Sequence, residues 1–82
     1  MVKIDYDPKF IKTFSKTKHK GFQEQIIKAV EKIKQDPETG KPMRFNRKGT
    51  REVYVSPYRL SYAYLKEENK IIILGLYHKD EQ

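Results

Sequence analysis

Residues 51–77 read REVYVSPYRLSYAYLKEENKIIILGLY. In Arg51–Ser56, Val53 and Val55 alternate with Glu52 and Tyr54, the period of two expected of a strand with one buried face. Ser56-Pro57 supports a turn. Tyr58–Lys66 then sets Tyr58, Leu60, Tyr62 and Tyr64 on one side and Arg59, Ser61, Ala63 and Leu65 on the other. Glu67–Lys70 is a charged turn. Ile71–Tyr77 is apolar on both faces, which suits a central strand. Three strands joined by short polar turns imply an antiparallel meander.

The chain before this stretch has a different period. Val2, Ile4 and Tyr6 alternate with Lys3 and Asp5, a short half-buried strand. Asp7-Pro8 reads as a helix start, with Asp7 as the cap and Pro8 in the first turn. Phe10, Ile11 and Phe14 share one face of a helix running to about Ser15. Lys16–Lys20 is a basic connector. Gly21–Gln35 is a second helix: Phe22, Ile26, Val30 and Ile33 form its apolar stripe, and Glu24 and Lys28 are spaced for an ion pair. Asp36-Pro37 and Gly40 end it. The expected fold is α+β, in the order β-α-α-β-β-β, with an antiparallel sheet and a two-helix hairpin packed on one face. Its 82 residues make one domain, residues 1–82.

Charge is concentrated. The formal net charge is +7, and the segment Lys41–Lys66 holds Lys41, Arg44, Arg47, Lys48, Arg51, Arg59 and Lys66 against one acid, Glu52. A segment of this kind attracts phosphates. Its interleaved apolar and aromatic residues argue against a disordered tail. There are no cysteines, so disulfides and thiolate metal sites are excluded, and a reducing cytoplasm is the expected compartment. No apolar run is long enough to span a membrane, and the N-terminus lacks a signal-peptide core. The two histidines, His19 and His78, lie far apart in sequence, against a histidine metal site.

If the helices cover the Tyr58/Leu60/Tyr62/Tyr64 face, Arg59 points to the other side between small neighbours. A guanidinium in a shallow cleft, with Arg51 and Tyr54 from the strand before and His78 from the strand after, is suited to hold a phosphate. The alternative for Arg59 is a cross-strand pair with Glu52. For His78 the alternative is an exposed histidine at a strand end.

GKPMRFNRKGTREVYVSPYRLSYAY (residues 40–64) followed by KIIILGLYHKDEQ (residues 70–82) resembles the RelE/ParE superfamily of toxins from type II toxin–antitoxin pairs. The resemblance covers nearly the whole chain. Its most specific pieces are Gly40–Arg44, Lys48-Gly49 before a strand, Tyr58-Arg59 with Tyr62, and His78-Lys79-Asp80 at the end.

The superfamily contains ribosome-dependent ribonucleases that cut mRNA in the A site, and gyrase inhibitors with no nuclease activity. For the former, the resemblance implies attack by a ribose 2′-hydroxyl on the adjacent phosphorus, without metal or cofactor. Arg59 matches the arginine that stabilises the phosphorane, and His78 a general acid or base. Arg51, Glu52 and Tyr54 fall near other catalytic positions. Arg44, Arg47, Lys48 and Lys79 would hold RNA. Glu52 and Tyr54 stand where the best-known ribonuclease member has two lysines, and no aromatic residue follows His78. An antitoxin protein, mRNA and the ribosome are the implied partners, and no membrane. The resemblance leaves three readings open: a ribonuclease toxin, a topoisomerase-binding toxin, and an RNA-binding module without cleavage.

Overall fold

The computed structural model describes residues 2–42 and 50–78. Lys3–Tyr6 forms β1, Pro8–Lys16 α1, Lys20–Gln35 α2, Lys41–Pro42 β2, Thr50–Val55 β3, Tyr58–Leu65 β4 and Lys70–His78 β5. The expected element order holds, with two-residue β2 as an addition. At the start of α1 the Asp7 carboxylate accepts the Lys9 N–H at 2.8 Å, and Pro8 opens the helix. At the start of α2 the His19 ring nitrogen Nδ1 accepts the Phe22 N–H at 3.1 Å. His19 is thus a cap, a role its sequence context did not suggest. Glu24 and Lys28 form no ion pair among the described residues, whereas Glu31 and Lys34 stand at 3.7 Å.

The sheet runs β1-β5-β4-β3-β2. β3, β4 and β5 are the antiparallel meander read from residues 51–77. β1 joins the far side of β5 in parallel, with Ile4 beside Ile71 and Tyr6 beside Ile73. Alternation in β1 marked its buried side but carried no information about strand direction, so this parallel edge was not legible in sequence. Phe10, Ile26, Val30 and Ile33 of the helices form one buried cluster with Val55, Leu60, Tyr62, Ile71, Ile73 and Leu76 of the sheet. The Tyr58/Leu60/Tyr62/Tyr64 face therefore meets the helices. Tyr58 packs on Phe22, ring centroids 5.1 Å apart.

One irregularity decides the site. Ser61 pairs with Gly75, but the next residue, Tyr62, pairs with Ile73, so Leu74 has no partner on β4. This extra residue is a β-bulge, which reverses the alternation beyond it. Ile71 and Ile73 face the helices, and so do Leu76 and His78. Tyr77 is turned to the other face, opposite Arg59.

Tyr62 fastens the meander to the end of α2. Its hydroxyl donates to the Pro37 carbonyl at 2.7 Å and accepts the Gly40 N–H at 2.9 Å. A Cβ at Gly40 would stand 2.6 Å from that hydroxyl and 3.0 Å from the Glu52 carbonyl oxygen, so glycine is required by close approach. Burial pushes the Tyr62 phenol above the usual tyrosine range, against the opposing pull of the Gly40 N–H and the Arg51 charge. The folded state therefore holds this proton more tightly than the unfolded chain. The stability it contributes is complete below pH about 10, where the unfolded phenol ionises, and is lost as pH rises through the folded value. Tyr62→Phe leaves a buried N–H unpaired and should cost about 1–3 kcal/mol at neutral pH. In urea titrations the gap between wild type and variant should narrow above pH 10. A constant gap would contradict the phenol's burial.

Candidate functional site

The sheet face away from the helices carries Glu52 and Tyr54 from β3, Arg59, Ser61 and Ala63 from β4, and Tyr77 from β5, as the cross-strand register requires. Three of these side chains meet. The Arg59 guanidinium stands 2.6 Å from Glu52 Oε1. The Tyr77 hydroxyl donates to the other carboxylate oxygen, Oε2. One carboxylate thus bridges a cation and a phenol drawn from three adjacent strands. The Glu52 side chain is 12% exposed and that of Arg59 36%, so the pair is partly shielded yet reachable from solvent. The cross-strand pairing foreseen as Arg59's structural alternative is present, and it is part of the cluster.

The other candidates separate. Tyr54 opposes Arg59 in the register, and its ring is exposed; its hydroxyl donates to Ser56 Oγ at 3.4 Å. Arg51 does not share the face of Arg59, where it was expected. It lies on the Val53/Val55 side and donates to the carbonyls of Glu38 at 3.0 Å and Gly40 at 2.8 Å. That ties the segment after α2 to β3. His78 also lies on the helix side, edge-on to Tyr58 with centroids 5.4 Å apart. The bulge at Leu74 is the reason: unbroken alternation from Ile73 would have aimed His78 outward and Tyr77 inward. Tyr77 is the residue that the sequence reading left out of the site. The available signal was Gly75, since a glycine inside a strand pattern often marks a bulge. Arg44, Arg47, Lys48 and Lys79 lie outside the described residues.

The cluster unites a carboxylate able to accept a proton, a phenol able to donate one and a guanidinium able to pair with a phosphate. Among the described residues no group of three histidine or carboxylate side chains is placed to hold a metal ion, and no helix is long and apolar enough to cross a membrane.

Comparison with known proteins gives a consistent placement. Residues 4–82 match the family model described as the ParE toxin of type II toxin–antitoxin systems. Among solved structures, the chain is similar to one in the intact E. coli RelBE toxin–antitoxin complex, with TM-score 0.80 and 18% identity over 95% of this chain and 96% of that one. It is similar to a chain of the RelBE2 complex from Mycobacterium tuberculosis, with TM-score 0.80 and 21% identity over 95% and 98%. A YoeB/ParE toxin from Agrobacterium tumefaciens gives TM-score 0.82 and 12% identity over 94% and 98%. Identities this low carry the fold alone. A search of curated protein sequences gives no match. The family match extends from β1 through the whole meander, on a fold shared with these structures, and the chain belongs to the ParE toxin family of type II toxin–antitoxin systems, within the RelE/ParE superfamily.

Proposed function

We propose that this toxin is a metal-independent endoribonuclease that cleaves mRNA on the ribosome. The observation that carries the reading is the Glu52 carboxylate, held between Arg59 and Tyr77 on the face without helices. Glu52 removes the proton of a ribose 2′-hydroxyl as its oxygen attacks the adjacent phosphorus. Arg59 pairs with the non-bridging oxygens as charge builds on the phosphorane. Tyr77 gives its proton to the departing 5′-oxygen. The products are a 2′,3′-cyclic phosphate and a 5′-hydroxyl. The turnover leaves a protonated carboxyl beside a phenolate, and their direct hydrogen bond lets the proton return without a further residue. Arg51 and His78 support the scaffold in this scheme, and Tyr54 contacts the RNA.

The test is primer extension on mRNA from translating ribosomes. New 3′ ends at A-site codons are expected with wild type, with a loss of about 10²–10⁴-fold in Glu52→Gln, the range for a general base. Tyr77→Phe should lose more cleavage than His78→Ala. The reverse order would remove Tyr77 from the acid role.

A second reading has its own support in the family description, that of ParE. In it the toxin inhibits a topoisomerase by binding. Growth arrest that persists in Glu52→Gln, without new RNA ends, would select it. An antitoxin is the regulatory partner under either reading, because the similar E. coli and M. tuberculosis chains come from toxin–antitoxin complexes.

A further inference from the structure

A cleft separates α2 from β3. One part, about 350 Å³, lies among Ala29, Lys32, Thr39, Lys41, Glu52 and Tyr54. The adjoining part, about 330 Å³, shares Ala29, Lys32 and Tyr54 with it and adds Lys28. Together they form one groove with the small Ala29 side chain between its two parts. Its polar wall is cationic. Lys28, Lys32 and Lys41 take part in no ion pair among the described residues, and Glu24, spaced to neutralise Lys28, does not do so. Lys28 and Lys32 are four apart on one helix face, an arrangement that disfavours the helix unless an anion offsets it. Glu52, the acid on the wall, is already engaged by Arg59 and Tyr77.

The other wall is aromatic. Tyr54 is 59% exposed, the most exposed of the large apolar or aromatic residues described, and its ring has no stacking partner among them. Lys28 and Lys32 on the α2 side, with Lys41 and an uncovered ring on the sheet side, supply the two components of a single-strand binding surface: cations follow the backbone and a ring stacks on a base. Lys28 and Lys32 are about 6 Å apart along the helix axis, comparable to neighbouring phosphates of an extended strand. Glu52 belongs to both the groove and the catalytic cluster, so a strand in the groove arrives at the cluster.

We propose that the cleft between α2 and β3 is a binding groove for single-stranded RNA, with Lys28, Lys32 and Lys41 on the phosphates and the Tyr54 ring stacked on a base. The identity of the strand as RNA rests on the ribonuclease reading. The groove itself rests on its own lining, and it meets the Glu52–Arg59–Tyr77 cluster at Glu52.

The test is fluorescence anisotropy with a 2′-O-methyl oligoribonucleotide of about 12 nucleotides, within the site sizes of single-strand binders. Without a free 2′-hydroxyl it binds but cannot be cut. The triple variant K28Q/K32Q/K41Q should weaken binding and lower the slope of log affinity against log salt by about 2, since each phosphate contact on a single strand contributes about 0.7. Tyr54→Ala should weaken binding on the order of tenfold with the salt slope unchanged. Circular dichroism confirms that each variant is folded. Equal binding by wild type and the triple variant overturns the groove, as does absence of binding by wild type. If the lysine variant loses affinity for polyglutamate but not for the oligoribonucleotide, the groove receives an acidic protein segment and the RNA assignment falls. Normal lysine and tyrosine effects on binding, from a toxin that makes no cuts on ribosomes, support the groove while removing the ribonuclease reading.

Discussion

Arg59→Ala is expected to lower ribosome-dependent RNA cleavage by about 10²–10³-fold, the loss that follows removal of one preorganised donor from a developing oxyanion. The guanidinium is held by Glu52 from the neighbouring strand, on a rigid pair of antiparallel strands, so little reorganisation is needed when a phosphate arrives. Arg59→Lys should recover only part of the activity. A lysine supplies the charge but not the planar fork that reaches a carboxylate and a phosphate together. End mapping on translating ribosomes measures both variants, with urea unfolding alongside to separate catalysis from stability. Full cleavage by Arg59→Ala would mean that Arg59 serves only its pair with Glu52.

Leu60→Ala should cost about 2–5 kcal/mol, the range for emptying a fully buried leucine site. Leu60 is 0% exposed, and its neighbours across the strands are Val53 and Leu76. A chain of this length has a total stability of roughly 4–12 kcal/mol. One substitution therefore removes a large share of it, on the core side of the strand that carries Arg59. Urea titration should show a lower midpoint with an unchanged slope. A loss below about 1 kcal/mol would be inconsistent with a close-packed core at that position.

Much of this fold is legible in the sequence because each element has a clear period and a chemical stop. Asp7-Pro8 opens α1, Asp36 closes α2, and the alternation in residues 51–65 sets which side of β3 and β4 is buried. Glu52, Tyr54 and Arg59 were therefore placed on the correct face. The pattern in β5 is ambiguous. Ile71–Tyr77 is apolar throughout, so composition could not say which residues turn inward, and the bulge at Leu74 then exchanged the faces of Tyr77 and His78. Arg51 was misplaced for a different reason. Its strand position already put it beside Val53, on the inner side, but its positive charge argued for the phosphate site. The structure satisfies that charge with the Glu38 and Gly40 carbonyls. The parallel placement of β1 was beyond reach because it depends on a meeting with a strand at the other end of the chain.

That meeting has a consequence for synthesis. β1 contains residues 3–6, yet its partner is residues 70–73, and Tyr77 lies further along the same strand. The β1 segment is made well before residues 70–73 and must wait for them before its backbone is paired. Contacts this distant in sequence form late, after the local turns and helices are in place. A nascent chain halted before β5 would have neither an anchored β1 nor the phenol beside Glu52. The Glu52–Arg59–Tyr77 cluster is therefore completed only after β5 has been made, and a partly synthesised copy lacks it.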